Sequence, residues 1–142
     1  MNPRTHKRTV AGPAGDLECA IDAPAGAARG LAVVCHPHPQ HGGTMDNKVV
    51  VTLARAHLQC GWRVARFNFR GIGGSAGAWD EGRGEIDDAI AVARTLRVAP
   101  ANDTWVAGTG AEPPPGDATN TPRRSPGRVT VISAGTSGPL MR

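Results

Sequence analysis

Five consecutive apolar residues, Leu31-Ala32-Val33-Val34-Cys35, constrain the fold of this chain more than any other feature. A run this short, with no polar alternation, reads as a strand covered on both faces. Such a strand belongs in a mostly parallel sheet with a helix layer on each side. The flanking sequence supplies the parts. Thr9-Val10 and Leu17–Ile21 flank the turn-forming Gly12-Pro13-Ala14-Gly15-Asp16, which predicts a hairpin. After the apolar run, a loop from His36 to Met45 leads to a helix near 46–60. Asp46 is its expected N-cap, Gly61 its expected C′ residue, and Val50, Leu53, Ala54 and His57 lie on one face.

A second strand is expected over Trp62–Phe69, then a Gly-rich segment from Arg70 to Gly84, then a second helix near 85–97. Glu85, Asp87 and Asp88 in its first turn, with Arg94 and Arg97 at its end, suit the helix dipole. Ile86, Ala89, Ile90 and Ala93 form its expected buried face, and Pro100 closes it. Thr104–Ala107 begins a further short strand. Strand, helix, strand, helix, strand implies parallel pairing with right-handed crossovers, an α/β doubly wound plan in three layers that more strands would complete.

From Thr109 the character changes. The last 34 residues hold 11 Pro or Gly and 8 Ser or Thr against five large apolar residues, and Pro113-Pro114-Pro115 suits neither helix nor sheet. Only Val129–Ile132 has the pattern of a strand. So little apolar area cannot offset the entropy of ordering, so residues 1–108 are expected to form a partial α/β domain and 109–142 a disordered tail.

The net charge of +4 points to no nucleic-acid partner, because the excess sits at the two ends. Between Thr9 and Gly108 there are 9 basic and 10 acidic residues, with no basic stripe. No apolar run approaches the ~20 residues that cross a bilayer, so no membrane partner is expected. Cys19, Cys35 and Cys60 form no CxxC pair and are expected to be reduced, which implies a cytoplasmic protein.

Two stretches carry a family likeness. His36-Pro37-His38-Pro39-Gln40-His41-Gly42-Gly43-Thr44-Met45-Asp46-Asn47-Lys48-Val49-Val50, with Arg66-Phe67-Asn68-Phe69-Arg70-Gly71-Ile72-Gly73-Gly74-Ser75-Ala76-Gly77, resembles small bacterial α/β-superfamily hydrolases. The likeness covers roughly residues 8–108, and Glu85-Ile86-Asp87-Asp88-Ala89 fits the acidic helix that follows in those proteins. It implies a serine-type ester or peptide-like hydrolase, with a small ester-like molecule as the expected substrate and no cofactor. It also implies that the loop after the His36 strand gives one backbone N–H to the oxyanion hole. Pro37 and Pro39 have no N–H, which leaves His38 as the candidate donor. The likeness places the nucleophile elbow, Gly-x-Ser-x-Gly, after Thr104–Ala107. Here the chain reads Gly108-Thr109-Gly110-Ala111-Glu112, and no histidine occurs after His57. The triad cannot be assembled from these residues, which implies an inactive, truncated or frameshifted product.

Three other patterns compete. Gly73-Gly74-Ser75-Ala76-Gly77 spells Gly-x-Ser-x-Gly, but Ser75 stands six residues beyond Phe69 and the glycines around it do not start a helix. It is a weak nucleophile candidate. Gly71, Gly73 and Ala76 half-match a dinucleotide loop that opens no helix. His36, His38 and His41 have the HxHxxH spacing of metallohydrolases, with Gln40 where an aspartate is usual, and only His57 follows them. They are weak metal candidates. The alternative functions are therefore a non-catalytic binding domain completed by a partner and, behind it, a metal-dependent hydrolase.

Overall fold

A computed structural model describes residues 4–97, 104–107 and 128–133. They form one six-stranded sheet, β1 (His6–Gly12), β2 (Gly15–Asp22), β3 (Gly30–Cys35), β4 (Arg63–Phe67), β5 (Thr104–Ala107) and β6 (Arg128–Ser133), in spatial order β1-β2-β4-β3-β6-β5. The helices are α1 (Lys48–Gln59) and α2 (Arg83–Leu96). The first two strands make the expected hairpin, closed by the Gly12–Gly15 pair, and β2 joins β4 antiparallel. The pairs β4–β3, β3–β6 and β6–β5 are all parallel.

Every residue of β3 is buried, as its unbroken apolar run requires. Alternation sends Leu31, Val33 and Cys35 to one face, where they pack with Phe67, Val92, Ala93 and Leu96 beneath α2. Ala32 and Val34 go to the other face, against Val50 and Ala54 of α1 and Val64 of β4. One helix on each face of a mostly parallel sheet is the three-layer arrangement that the strand–helix alternation implies.

Both helices depart from the sequence expectation in ways that matter for the site. The N-cap of α1 is Asn47, whose side chain accepts the Val49 N–H at 2.9 Å; Asp46 instead pairs with Arg66 of β4 at 3.2 Å. The other end follows the sequence. Gly61, at φ 85°, donates to the Leu58 carbonyl while Trp62 donates to His57, a Schellman ending. In α2 the buried face is turned. Ile86 is 49% exposed, whereas Glu85 and Asp88 are buried beside Ala89, Val92, Ala93 and Leu96. The inward carboxylates have partners there, and that fixes the rotation. Glu85 accepts the Asp80 and Gly82 N–H groups at 2.7 and 2.8 Å, and Asp88 accepts Arg70. Gly84 leaves room for that arginine, since a Cβ there would collide with its guanidinium.

Within 109–142, the stretch Val129–Ile132 that alone has a strand pattern lies in β6, between β3 and β5, with Val129 and Val131 buried. The expectation of disorder therefore gives way over Arg128–Ser133. Alternating β-branched residues gain a full ladder on each side, which outweighs the turn-rich composition around them. The rest of that segment, the Gly108–Glu112 stretch and Pro100 lie outside the described residues.

Candidate functional site

The carboxyl ends of β3 and β4 stand side by side, and the loops leaving them form the site. The β3 exit turns tightly. His41 and Gly43 both donate to the His38 carbonyl, at 3.0 and 3.3 Å, and the His38 ring accepts the Gln40 N–H at 3.2 Å. These bonds use the carbonyl and the side chain of His38. Its own N–H has no hydrogen-bond partner among the described residues. Gly43 is obligatory in this turn, because a Cβ there would stand inside contact distance of the Pro37 carbonyl.

His36 ties this turn to the neighbouring strand. Its Nε2 accepts the Phe69 N–H at 3.1 Å, so the ring proton sits on Nδ1, 2.7 Å from the Pro37 carbonyl that receives it. The ring is buried and stacks obliquely on Phe69 at 4.5 Å. Burial pushes its pKa below the ordinary 6.5, against the opposing effect of the Pro37 hydrogen bond. Both nitrogens are occupied by backbone groups. His38 and His41 face each other at 5.3 Å between ring centroids, with His36 turned away to its own partners. The three do not converge, and no group of three or more metal-ligating side chains is present among the described residues.

Asn68 is the polar centre beneath the turn, and nothing in the sequence reading singled it out. Its side chain accepts the Met45 N–H and donates to Glu18, both at 2.8 Å. Its backbone N–H donates to the Glu18 carbonyl at 2.9 Å, and its carbonyl accepts the Ser75 hydroxyl at 2.6 Å. Glu18 also accepts the Gly74 N–H at 2.8 Å; that bond first, then the one from Asn68, draws its carboxyl below the usual range. Ser75 completes the ring by accepting the Glu18 N–H at 2.9 Å. Its proton is committed to a backbone carbonyl and no histidine touches it, so Ser75 stands here as a loop hydroxyl that fastens the β4 exit to β2. The available signal for Asn68 was positional: a lone amide between Phe67 and Phe69 at a buried strand end needs partners for three or more hydrogen bonds.

Two arginines fix the loops from opposite faces. On the α1 side, buried Arg66 donates to the Met45 carbonyl at 3.0 Å as well as to Asp46, while its Nε has no partner among the described residues. On the α2 side, Arg70 makes a bidentate pair with fully buried Asp88, with bonds of 2.8 to 3.2 Å, and its NH2 also reaches the Gly84 carbonyl. The segment between carries Trp79, whose ring meets His38 edge-on at 5.0 Å. The result is a tightly bonded turn whose His38 amide has no partner among the described residues, with an aromatic wall beside it. Charge developing at that amide would meet an oriented donor.

No family model matches the chain. Among curated proteins, an uncharacterised protein of Rickettsia prowazekii is 49% identical over 59 residues, which is 42% of this chain and 25% of that one. Among solved structures, an α/β serine hydrolase homologue from Coxiella burnetii is 48% identical, with a TM-score of 0.62, over 64% of this chain and 44% of its own. A serine hydrolase without a lid from Xanthomonas campestris gives 43% identity and a TM-score of 0.62 over 68% and 45%. A putative α/β hydrolase from Agrobacterium tumefaciens gives 38%, with the same TM-score, over 64% and 42%. The chain spans less than half the length of each of these structures. Its fold is that of a partial α/β hydrolase.

Proposed function

We propose that this chain follows the plan of a serine esterase acting on small ester-like molecules, and that its 142 residues do not by themselves complete the catalytic machinery. The turn after β3 carries the reading. A strand-end amide without a partner among the described residues, at His38, is what an oxyanion hole requires, in a chain that over 64–68% of its length is 43–48% identical to a serine hydrolase and a serine hydrolase homologue. Incompleteness is supported by the residues that follow. Gly108-Thr109-Gly110 stands where the elbow is expected, no histidine follows His57, and the Ser75 hydroxyl is already engaged. The abrupt change of composition after Gly108 supports a shifted reading frame as the cause. Three free cysteines support a reducing, cytoplasmic setting, and no helix among the described residues is long and apolar enough to cross a membrane.

The test uses 4-nitrophenyl acetate and a fluorophosphonate probe on two proteins. One is the chain as it stands. The other is the product of a frame that restores Gly-x-Ser-x-Gly after Thr104–Ala107. The first is expected to show neither turnover above buffer nor labelling, and the second both. Stoichiometric labelling of the first would overturn incompleteness; an inert second protein would overturn the serine-hydrolase reading.

A further inference from the structure

The Pro37–His38 peptide has two ends, and both are exceptional. Its carbonyl receives the Nδ1 proton of His36 at 2.7 Å and is packed against Gly43, where no side chain can stand. Its N–H, the His38 amide, has no hydrogen-bond partner among the described residues. A peptide group is planar and, before a residue other than proline, almost always trans, so its C=O and N–H point in opposite directions. Whatever fixes the carbonyl therefore fixes the direction of the amide. His36 in turn cannot rotate, because its Nε2 is held by the Phe69 N–H at the end of the adjacent strand and its ring lies on Phe69.

We infer that His36 is a positioning residue for the His38 amide, orienting and polarising the Pro37–His38 peptide through its carbonyl. This rests on the reading of that amide as an oxyanion donor. A hydrogen bond accepted by the carbonyl draws electron density away from the peptide nitrogen and makes its N–H a stronger donor, since bonds in a chain reinforce one another. The chain Phe69 N–H, His36 ring, Pro37 carbonyl, His38 N–H runs from the β4 exit to the free donor. It gives HPHP a division of labour. The first histidine aims and the second donates, while the prolines remove competing N–H groups on either side.

Nuclear magnetic resonance on the isotope-labelled chain tests this. The His36 ring should carry its proton on Nδ1 at pH 7; a proton on Nε2 would overturn the inference with no variant needed. His36→Phe keeps an aromatic ring against Phe69 but supplies no donor. It should move the Pro37 carbonyl carbon upfield and lower the His38 amide order parameter from about 0.85 toward 0.6. His36→Asn, which can again donate to that carbonyl, should restore both in part. A Pro37 carbonyl resonance unchanged in the folded His36→Phe protein would show that the ring only packs, and would sink the proposal. Titration with acetate reads the donor assignment separately. If acetate never shifts the His38 amide of the unsubstituted chain, the oxyanion reading fails, while the tautomer and carbonyl results still decide the role of His36.

Discussion

Replacing Asp88 by asparagine should cost this fold about 3 kcal/mol, although the two side chains have the same shape. Asp88 is fully buried and takes four hydrogen bonds from Arg70: one from its backbone N–H at 3.1 Å, two from Nε and one from NH2. Asparagine keeps an acceptor for the backbone N–H, so no cavity and no orphaned amide result. It removes the charge and sets an NH2 group against the guanidinium donors. Breaking a buried pair at one partner costs about 3–5 kcal/mol. The lower end applies because Glu85 and Asp80 also act on Arg70 and remain as distant counter-charges. A chain of this size has roughly 5–15 kcal/mol in all, so the loss is a large share. In urea, with a slope of about 1–3 kcal/mol per molar, the midpoint should fall by roughly 1–3 M, and Trp79 fluorescence reports from the affected loop. A fall below about 0.5 M would refute the claim that charge pairing holds the loop to α2. The double variant Arg70→Met/Asp88→Leu should lose less than the single one, about 1–3 kcal/mol, mainly from the Arg70 N–H left without its acceptor. If it loses more, hydrogen bonding and not charge carries the interaction.

Other consequences can be measured in the same way. His36 is held neutral, its pKa below 6.5, so the unfolded chain takes up a proton on acidification before the folded one does. Stability that is full above about pH 6.5 should therefore decline as pH falls below it, by at most about 1.4 kcal/mol per unit, until the folded pKa is reached. Urea midpoints at pH 7.5, 6 and 5 should show this decline, and His36→Phe should flatten it; parallel profiles would contradict the assignment. Gly43→Ala forces a methyl into the Pro37 carbonyl and should destabilise the fold by about 3 kcal/mol or more, visible as a lowered melting temperature, since the obstacle is backbone and cannot swing aside. Burial pushes the thiols of Cys19 and Cys35 up to about 12, whereas Cys60 is exposed. Brief iodoacetamide treatment of the native chain should add a single label, at Cys60, by mass spectrometry, and two or three labels would show the core open.

What could be read from the residues was what local pattern dictates. An unbroken apolar run gave β3 and the need for helices on both faces, and the glycines and proline between 12 and 15 gave the hairpin. The errors have a common origin in partners distant along the chain. Asp46 is displaced from the cap of α1 by Arg66, twenty residues on, and Asp88 is drawn inward by Arg70, which turns Ile86 to solvent. Periodicity assumes that charge faces water and has no means of anticipating a buried pair. The same limit hid Asn68, whose role consists of bonds to Glu18, Met45 and Ser75 on three separate segments. His38 could be named as a candidate donor only through the family likeness, together with the local fact that Pro37 and Pro39 lack an N–H. That His36 bonds the Pro37 carbonyl needed the geometry.

The place of β6 has a consequence for how the chain is made. Strand β3 is flanked by β4, whose last residue is Phe67, and by β6, which starts only at Arg128. At about 5–20 residues per second of synthesis, some 60 residues separate the two events, or roughly 3–12 seconds on the ribosome. Throughout that interval a strand whose every residue ends up buried has one hydrogen-bonding edge satisfied and the other bare. A bare edge pairs with whatever strand arrives first. For this nascent chain, the timing of translation decides whether β3 closes on its own β6 or on a neighbour's strand.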